Sequence, residues 1–170
     1  MPRDVYVDAS LFMGMHSKDP DVRTACARFF AEHLRTPVLM TYEEVGRCDD
    51  VVWGRGREEQ DAYYPFMDVL HSLMPIRRRA YTAQDRETLA LLPSVASDLA
   101  PREQMLLASV RATGGELVTV NPRLLALAAH GLPVRAPRTE TGPVHFDDAQ
   151  GVLDALYETS LALEVDHAAV

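Results

Sequence analysis

The feature that most constrains the fold is a series of short apolar runs, each followed by a helical pattern. The first run, Val5 to Val7, ends on Asp8 and leads into a helix near Ser10. Runs of the same kind cover residues 38–40, 117–119 and 132–134. Repeated strand–helix units predict a parallel sheet with helices on both faces. We therefore expect an α/β fold, a three-layer sandwich around a central, mostly parallel sheet.

The length of the chain predicts one domain followed by an extension. A chain of 170 residues is long enough for a single domain with a real core. Residues 138–143 are rich in Pro, Gly and Thr, which predicts a linker. Apolar residues recur at helical spacing after Asp147 and Asp148. We assign residues 1–137 to the domain and 138–170 to a linker and an amphipathic C-terminal helix. This helix packs on its own domain or forms an interface with a second copy or a protein partner.

Composition excludes several classes of protein. No apolar run approaches the ~20 residues that a membrane helix needs, and the first strand begins too early to leave room for a signal peptide. The two cysteines, Cys26 and Cys48, lack metal-ligand spacing, which is typical of a reducing cytoplasm. The net charge of −8 argues against loose, charge-driven binding of nucleic acid. It leaves room for a local basic rim around an acidic site.

Four polar residues follow or precede the predicted strands in a way that gathers them at one edge. Asp8 ends the first strand, Glu44 lies one turn into the helix after the second, and Asn121 follows the third. Glu103 begins the helix before that third strand. Ligands collect outside the carboxyl ends of parallel strands, and neighbouring carboxylates repel unless a cation neutralises them. Because oxygen ligands suit Mg²⁺ or Mn²⁺, the pattern predicts a hard-metal site.

Each of these residues also has a purely structural interpretation, and for Asp8 it is a helix cap or a turn residue. Glu44 completes a Thr-x-x-Glu capping box with Thr41. Glu103 lies in a first helical turn, where an acid is favoured by the helix dipole. Asn121 before a proline is an ordinary turn or N-cap residue. The functional interpretation rests on all four residues meeting at matched strand ends.

The order and spacing of these segments resemble the PIN-domain family, the metal-dependent nucleases that include VapC-type toxins. The matching motifs are Val5-Tyr6-Val7-Asp8-Ala9-Ser10, Thr41-Tyr42-Glu43-Glu44-Val45, Pro101-Arg102-Glu103-Gln104-Met105-Leu106-Leu107-Ala108, and Leu117-Val118-Thr119-Val120-Asn121-Pro122. The resemblance covers residues 4–136 and omits the tail. The third acid is usually Asp in the family and is Glu103 here. The fourth is often Asp and is Asn121 here, which offers a carbonyl oxygen without charge.

The resemblance implies an endoribonuclease that hydrolyses single-stranded RNA with Mg²⁺ or Mn²⁺. Asp8, Glu44 and Glu103 would be the metal ligands, and Asn121 would position a water or the metal. The expected mechanism is attack of an activated water on the phosphorus. Glu43 is the reserve ligand if the helix register is shifted by one residue. A toxin–antitoxin-like role would follow from the VapC-type likeness.

Further residues are candidates for holding the RNA. They are Ser10, Thr119, Arg47, Arg55 and Arg77, with Arg57, Arg78 and Arg79 as additional basic groups. The arginines are otherwise an ordinary solvated face. Trp53, Tyr63 and Tyr64 could stack on bases or pack in the core.

A second hypothesis is a PIN-like scaffold with weakened chemistry that acts as a binding or regulatory subunit, as a homodimer or with a protein partner. The acidic net charge, the Glu and Asn replacements and the extra helix favour it.

Overall fold

Five parallel strands form the central sheet of the protein. The computed structural model describes residues 3–170. The strands are β1 Val5–Val7, β2 Val38–Thr41, β3 Ile76–Arg79, β4 Glu116–Val118 and β5 Val134–Arg135. They lie in the order β3-β2-β1-β4-β5, and each neighbouring pair is parallel. The predicted α/β class with a parallel central sheet is confirmed.

In the part of the chain that the structure describes, eight α-helices connect or flank these strands. They are α1 Ala9–Gly14, α2 Pro20–Glu32, α3 Tyr42–Trp53, α4 Arg57–Leu73, α5 Ala83–Leu89, α6 Pro101–Thr113, α7 Pro122–Ala126 and α8 Leu153–Ser160. Within residues 3–170, no helix is long and apolar enough to cross a membrane.

Alternation along the strands produces a separate core on each face of the sheet. Val7 and Val118 point into one cluster, whereas their neighbours Tyr6 and Leu117 point into another. Successive side chains of a strand face opposite sides, so a sheet covered by helices on both faces needs apolar residues at every position. The larger cluster includes residues of α1 to α4, and the smaller one includes residues of α6 and α7. This is the three-layer arrangement that the sequence predicts.

The segment after residue 137 is packed into the larger core. Phe146, Leu153, Leu163 and Val165 are buried members of that cluster. The ring of Tyr157 on α8 contacts the ring of Phe66 on α4. Helix α8 therefore turns its apolar residues toward its own chain.

Helix α8 begins later than the acids at 147 and 148 predict. Asp148 precedes the helix, and its carboxylate accepts hydrogen bonds from the backbone N–H groups of Val152 and Leu153 at 3.0 and 3.3 Å. Gly151 has a φ of +66°, outside the range of a right-handed helix. The chain therefore makes a turn that Asp148 closes, and the helix starts at Leu153.

A buried histidine ties α8 to the first helix and makes stability depend on pH. The Nε2 atom of His16 lies 2.8 Å from Ser160 Oγ, and its ring packs between aromatic rings of Tyr63, Phe66 and Tyr157. Burial lowers the pKa of His16 to about 3, with a further contribution from Arg23. The unfolded chain, with an ordinary histidine pKa near 6.5, binds more protons than the folded chain between these two values. The stabilising effect of a neutral His16 is therefore complete above the unfolded pKa and lost as pH falls.

We expect the free energy of unfolding to drop by about 2 kcal/mol more in the natural chain than in a His16→Gln variant between pH 7 and pH 5. Urea denaturation of both proteins at the two pH values measures this difference. The other titrating groups are shared and cancel in the comparison. Parallel losses in the two proteins would show that His16 is not held neutral.

Candidate functional site

The polar residues predicted to converge meet at the carboxyl ends of β1, β2 and β4. Chain order reverses between β1 and β4, because β2 and β3 lie on one side of β1 while β4 and β5 lie on the other. Such a topological switch point is where open α/β sheets bind ligands. Asp8 directly follows the end of β1, and Thr119 directly follows the end of β4.

Asp8 is buried at the centre of a hydrogen-bond network. Its carboxylate accepts from the backbone N–H of Leu11 at 2.9 Å and from Thr119 Oγ1 at 2.6 Å. Ser10 Oγ lies 3.0 Å from both carboxylate oxygens and 3.0 Å from Thr119 Oγ1. Ser10 and Thr119 therefore fix the orientation of Asp8, in addition to being the predicted contacts to a substrate.

Glu44 crosses from α3 to the start of α1 and does not complete a capping box. Thr41 caps α3 by accepting from Glu44 N at 3.4 Å. The Glu44 carboxylate accepts instead from Ala9 N at 2.8 Å, beside Asp8. Arg102 NH1 donates to both of its oxygens at 2.8 and 2.9 Å. Glu43, the reserve candidate, is exposed and accepts from the Tyr81 hydroxyl at 2.9 Å. The register of the helix therefore directs Glu44 toward Asp8.

Glu103 and Asn121 form a second polar pair on the β4 side. Glu103 Oε2 accepts from Ala100 N at 2.9 Å, so the residue does cap α6. Its Oε1 accepts from Asn121 Nδ2 at 2.7 Å and from Arg123 NH2 at 2.6 Å. Asn121 Oδ1 accepts from Arg123 N at 2.9 Å and caps α7. Both residues thus combine a structural role with a place beside the site.

Burial raises the pKa values of both central acids, and the Asp8 charge raises that of Glu44 further. Burial raises the pKa of Asp8, although hydrogen bonds from Thr119, Leu11 and Ser10 oppose the shift. The pKa of Glu44 rises to about 7, first because the group is buried and second because the Asp8 charge is near. Arg102 lowers the pKa of Glu44, yet this ion pair does not outweigh burial. A nearby cation would stabilise the charged forms of these two buried carboxylates.

The donor chemistry suits a hard divalent cation, but two of the candidate ligands form ion pairs with arginines. Asp8 and Glu44 offer carboxylate oxygens of the type that Mg²⁺ and Mn²⁺ prefer. Glu44 and Glu103 are ion-paired with Arg102 and Arg123 at 2.8 and 2.6 Å. Among residues 3–170, no group of three or more Asp, Glu, His or Cys side chains is arranged to hold a metal. Asp8 and Glu44 have suitable donor chemistry, and the ligand roles of Asp8, Glu44 and Glu103 all stay predictions.

Arg102 and Arg123 were not singled out from the sequence, although both contact the predicted acids. Arg102 directly precedes Glu103, and Arg123 follows Asn121 by two residues. The available signal was a basic residue within two positions of a predicted site residue, Glu103 for Arg102 and Asn121 for Arg123. Arg123 remains more than half exposed, with 57% of its side chain accessible, and lies at the rim.

The predicted RNA-binding arginines are dispersed. Arg55 lies 3.9 Å from Glu59, and Arg77 is exposed on the edge strand β3. Arg47 NH2 donates to the backbone oxygen of Ala169 at 3.1 Å.

The other basic groups of that set are engaged with neighbours. Arg57 pairs with Asp61 at 2.8 Å, Arg78 contacts His71, and Arg79 pairs with the buried Asp85 at 2.8 Å. Of the aromatic candidates, Trp53 is 76% exposed, whereas Tyr63 is buried and Tyr64 packs against the core. Of these three aromatic residues, only Trp53 is exposed enough to stack on a base.

The acidic site is closed in this conformation. Asp8, Ser10, Glu44, Glu103, Thr119 and Asn121 are all buried. Cys48, one turn beyond Glu44, is also buried, and burial raises the pKa of its thiol well above the ordinary value. This thiol is therefore not an activated nucleophile.

Comparison with known proteins supports the fold and leaves the chemistry open. A search of curated proteins finds no match to this chain. A chain in the crystal structure of VapBC2 from Rickettsia felis, bound to a DNA fragment from their promoter, is similar with a TM-score of 0.56. The similarity covers 79% of this chain and 98% of that chain at 13% sequence identity, a level that shows a shared fold alone. Over residues 1–170 the sequence matches DUF6190, described as a family of unknown function, and the chain belongs to that family.

Proposed function

We propose that the protein is a PIN-like, metal-dependent ribonuclease that hydrolyses phosphodiester bonds of single-stranded RNA. The observation that carries the proposal is the buried pair of Asp8 and Glu44 at the topological switch point of the sheet. Burial raises the pKa of Glu44 to about 7, with a second contribution from the nearby Asp8 charge. A fold held together for stability alone gains nothing from two buried acids that repel, whereas a cation-binding site uses them.

In this proposal each residue has a defined task. Asp8 and Glu44 hold the Mg²⁺ or Mn²⁺ ion, and Glu103 joins them when it is released from Arg123. A divalent cation supplies a water of lowered pKa and stabilises charge on the departing oxygen. Ser10 and Thr119 orient the Asp8 carboxylate through their hydroxyl groups. Asn121 holds Glu103, and Arg123 at the rim meets an RNA phosphate.

The test is cleavage of end-labelled, mixed-sequence single-stranded RNA with added Mn²⁺ or Mg²⁺, with a chelator as control. We expect metal-dependent cleavage that a Glu44→Gln variant lowers by at least 10–100-fold, because it removes a charge that holds the ion. Glu43→Gln is the matched control, since this neighbouring acid is exposed and faces Tyr81. It should keep full activity.

Absence of cleavage with either metal, together with no Mn²⁺ binding by calorimetry, would overturn the proposal. Equal activity of the two glutamine variants would place the site elsewhere or indicate a contaminating nuclease.

The pairing of Glu44 and Glu103 with arginines favours one alternative function. Two guanidinium groups already neutralise part of the acidic cluster. A PIN-like binding subunit without catalysis would keep this arrangement permanently, alone, as a homodimer or with a protein partner. The same calorimetry separates the two functions, because the binding subunit needs no metal.

A further inference from the structure

Residues 166–170 run across the start of α1 toward the acidic site. Just before them, Val165 bridges to Ser17, accepting from Lys18 N at 3.0 Å and donating to the His16 oxygen at 2.9 Å. A short 3-10 turn, His167–Ala169, follows. His167 Nδ1 lies 2.8 Å from Ser17 Oγ. These contacts hold the segment beside α1.

The segment ends against two arginines from different helices. Arg47 NH2 on α3 donates to the Ala169 oxygen at 3.1 Å, and Arg102 NH2 on α6 donates to the Val170 oxygen at 3.2 Å. The Val170 side chain is only 8% exposed and belongs to the larger core cluster. Arg102 therefore bridges the segment and Glu44.

The two arginines donate to the backbone oxygens of the adjacent residues Ala169 and Val170, and we call this pair of arginines the fork. Guanidinium groups recognise phosphate oxygens through paired, charge-assisted hydrogen bonds. A phosphate placed against Arg47 and Arg102 would lie next to Glu44. Such a position suits the backbone of an RNA whose neighbouring phosphodiester is presented to the acidic site.

We propose that Arg47 and Arg102 bind a backbone phosphate of the RNA, and that residues 166–170 occupy this position until RNA displaces them. The inference rests on the proposed function, since it names the phosphate contact and the regulation of the same site. It gives a polyanion a way to reach the Glu44 side of a site whose residues are all buried. It also gives Arg102 two successive partners, a backbone oxygen of its own chain and a phosphate.

The test measures binding of a fluorescently labelled, mixed-sequence single-stranded RNA by anisotropy in the presence of a chelator. In the full chain, His167→Ala combined with Val170→Gly removes the bond to Ser17 and the buried side chain without changing the formal charge. We expect this double variant to bind RNA about 10-fold more tightly. Removal of a blocked state that is about 10 times more populated than the open state raises the apparent affinity by that factor. Thr139→Ala, an exposed and uncharged change outside residues 166–170, should leave the affinity unchanged.

A third substitution checks where the gained affinity resides. Adding Arg47→Ala to the double variant should return the affinity to that of the natural chain, because half of the fork is lost. Unchanged affinity in the double variant, with a natural circular dichroism spectrum, would overturn the inference. If the double variant does not fold, His167→Ala alone must still raise the affinity, and no gain there would also overturn it.

The outcomes for this inference and for the proposed function are separable. Tighter RNA binding on release of the segment, with no cleavage under Mn²⁺, would refute the nuclease and keep the phosphate fork. Metal-dependent cleavage with no effect of the segment on RNA binding would keep the nuclease and refute the fork.

Discussion

An Asp8→Asn variant should lower the proposed RNA-cleaving activity more than about 100-fold, because the proposal makes Asp8 the central ligand of the ion and loss of even a supporting residue of a metal site costs 10–100-fold. The same variant should unfold at a higher temperature than the natural chain at pH 8. A loss of function joined to a gain in stability is expected where a site holds charges that the fold alone does not favour. An ordinary structural acid would give the opposite sign for stability.

The sign of the stability change follows from the raised pKa values. The folded chain binds more protons than the unfolded chain between the ordinary glutamate pKa of 4.5 and the folded value for Glu44 of about 7. The contribution of Glu44 to stability is therefore present below the lower value and lost as pH rises through the upper one. At pH 8 Glu44 is largely charged, and replacing Asp8 with a neutral amide removes the nearby acid that helps to raise the pKa of Glu44.

The expected gain is about 1 kcal/mol at pH 8, the equivalent of roughly one pKa unit, because burial of Glu44 itself is not relieved. For a domain of this size it corresponds to an increase in Tm of about 2–4 °C. At pH 5 the gain should shrink, since Glu44 in the folded chain is then largely protonated. The hydroxyl groups of Ser10 and Thr119 can rotate to accept from the new amide.

Calorimetric melting at pH 8 and pH 5, beside cleavage assays on the same preparations, measures both effects. Asp50→Asn is the matched control, because this acid is exposed on α3 and should change neither Tm nor cleavage by a measurable amount. A lower Tm for Asp8→Asn at pH 8 would mean that the hydrogen bonds of Asp8 stabilise the fold more than its charge destabilises it. That result would favour the purely structural interpretation of Asp8 as the cap of α1.

The strand ends were predictable from the sequence because local patterns determine them. Val5 to Val7 is a short apolar run, and a parallel sheet makes the position after it a shared edge, so Asp8 and Thr119 could be placed together. The direction of Glu44 was less determined, because Thr41 and Glu44 fit a capping box equally well. The structure separates the two interpretations only through a contact across 35 residues, from Ala9 N to Glu44.

The arginines and residues 166–170 could not be predicted by the same reasoning. Arg102 reaches Glu44 across 58 residues and Val170 across 68 residues. No periodicity encodes such pairs, since they depend on how α6 and the segment after α8 pack around the sheet. The resemblance to PIN domains ends near residue 136 and so says nothing about residues 166–170.

The packing of that final part of the chain leads to the second large prediction, a Phe146→Ala variant that is destabilised by about 3–5 kcal/mol. Phe146 is almost fully buried, and its ring lies 5.7 Å from that of Phe66 and 5.6 Å from that of Tyr157, both at 67°. Removal of the ring leaves a cavity between α4, α8 and the segment before α8. Phe146 belongs to the same hydrophobic cluster as Val7, the residue before Asp8. The substitution should therefore lower the free energy of unfolding of the whole chain.

Urea denaturation measures this loss as a lower midpoint with an unchanged m value, which reports one cooperative unit. Leu91→Ala is the control, because Leu91 is 69% exposed and its truncation should change stability by less than about 0.5 kcal/mol. A biphasic transition, or a cost under about 1 kcal/mol for Phe146→Ala, would mean that residues 138–170 unfold as a separate extension. A single transition with the full cost would make these residues part of the domain. Release of residues 166–170 by RNA would then be a local opening. The rest of the core, including the part next to Asp8, would stay folded.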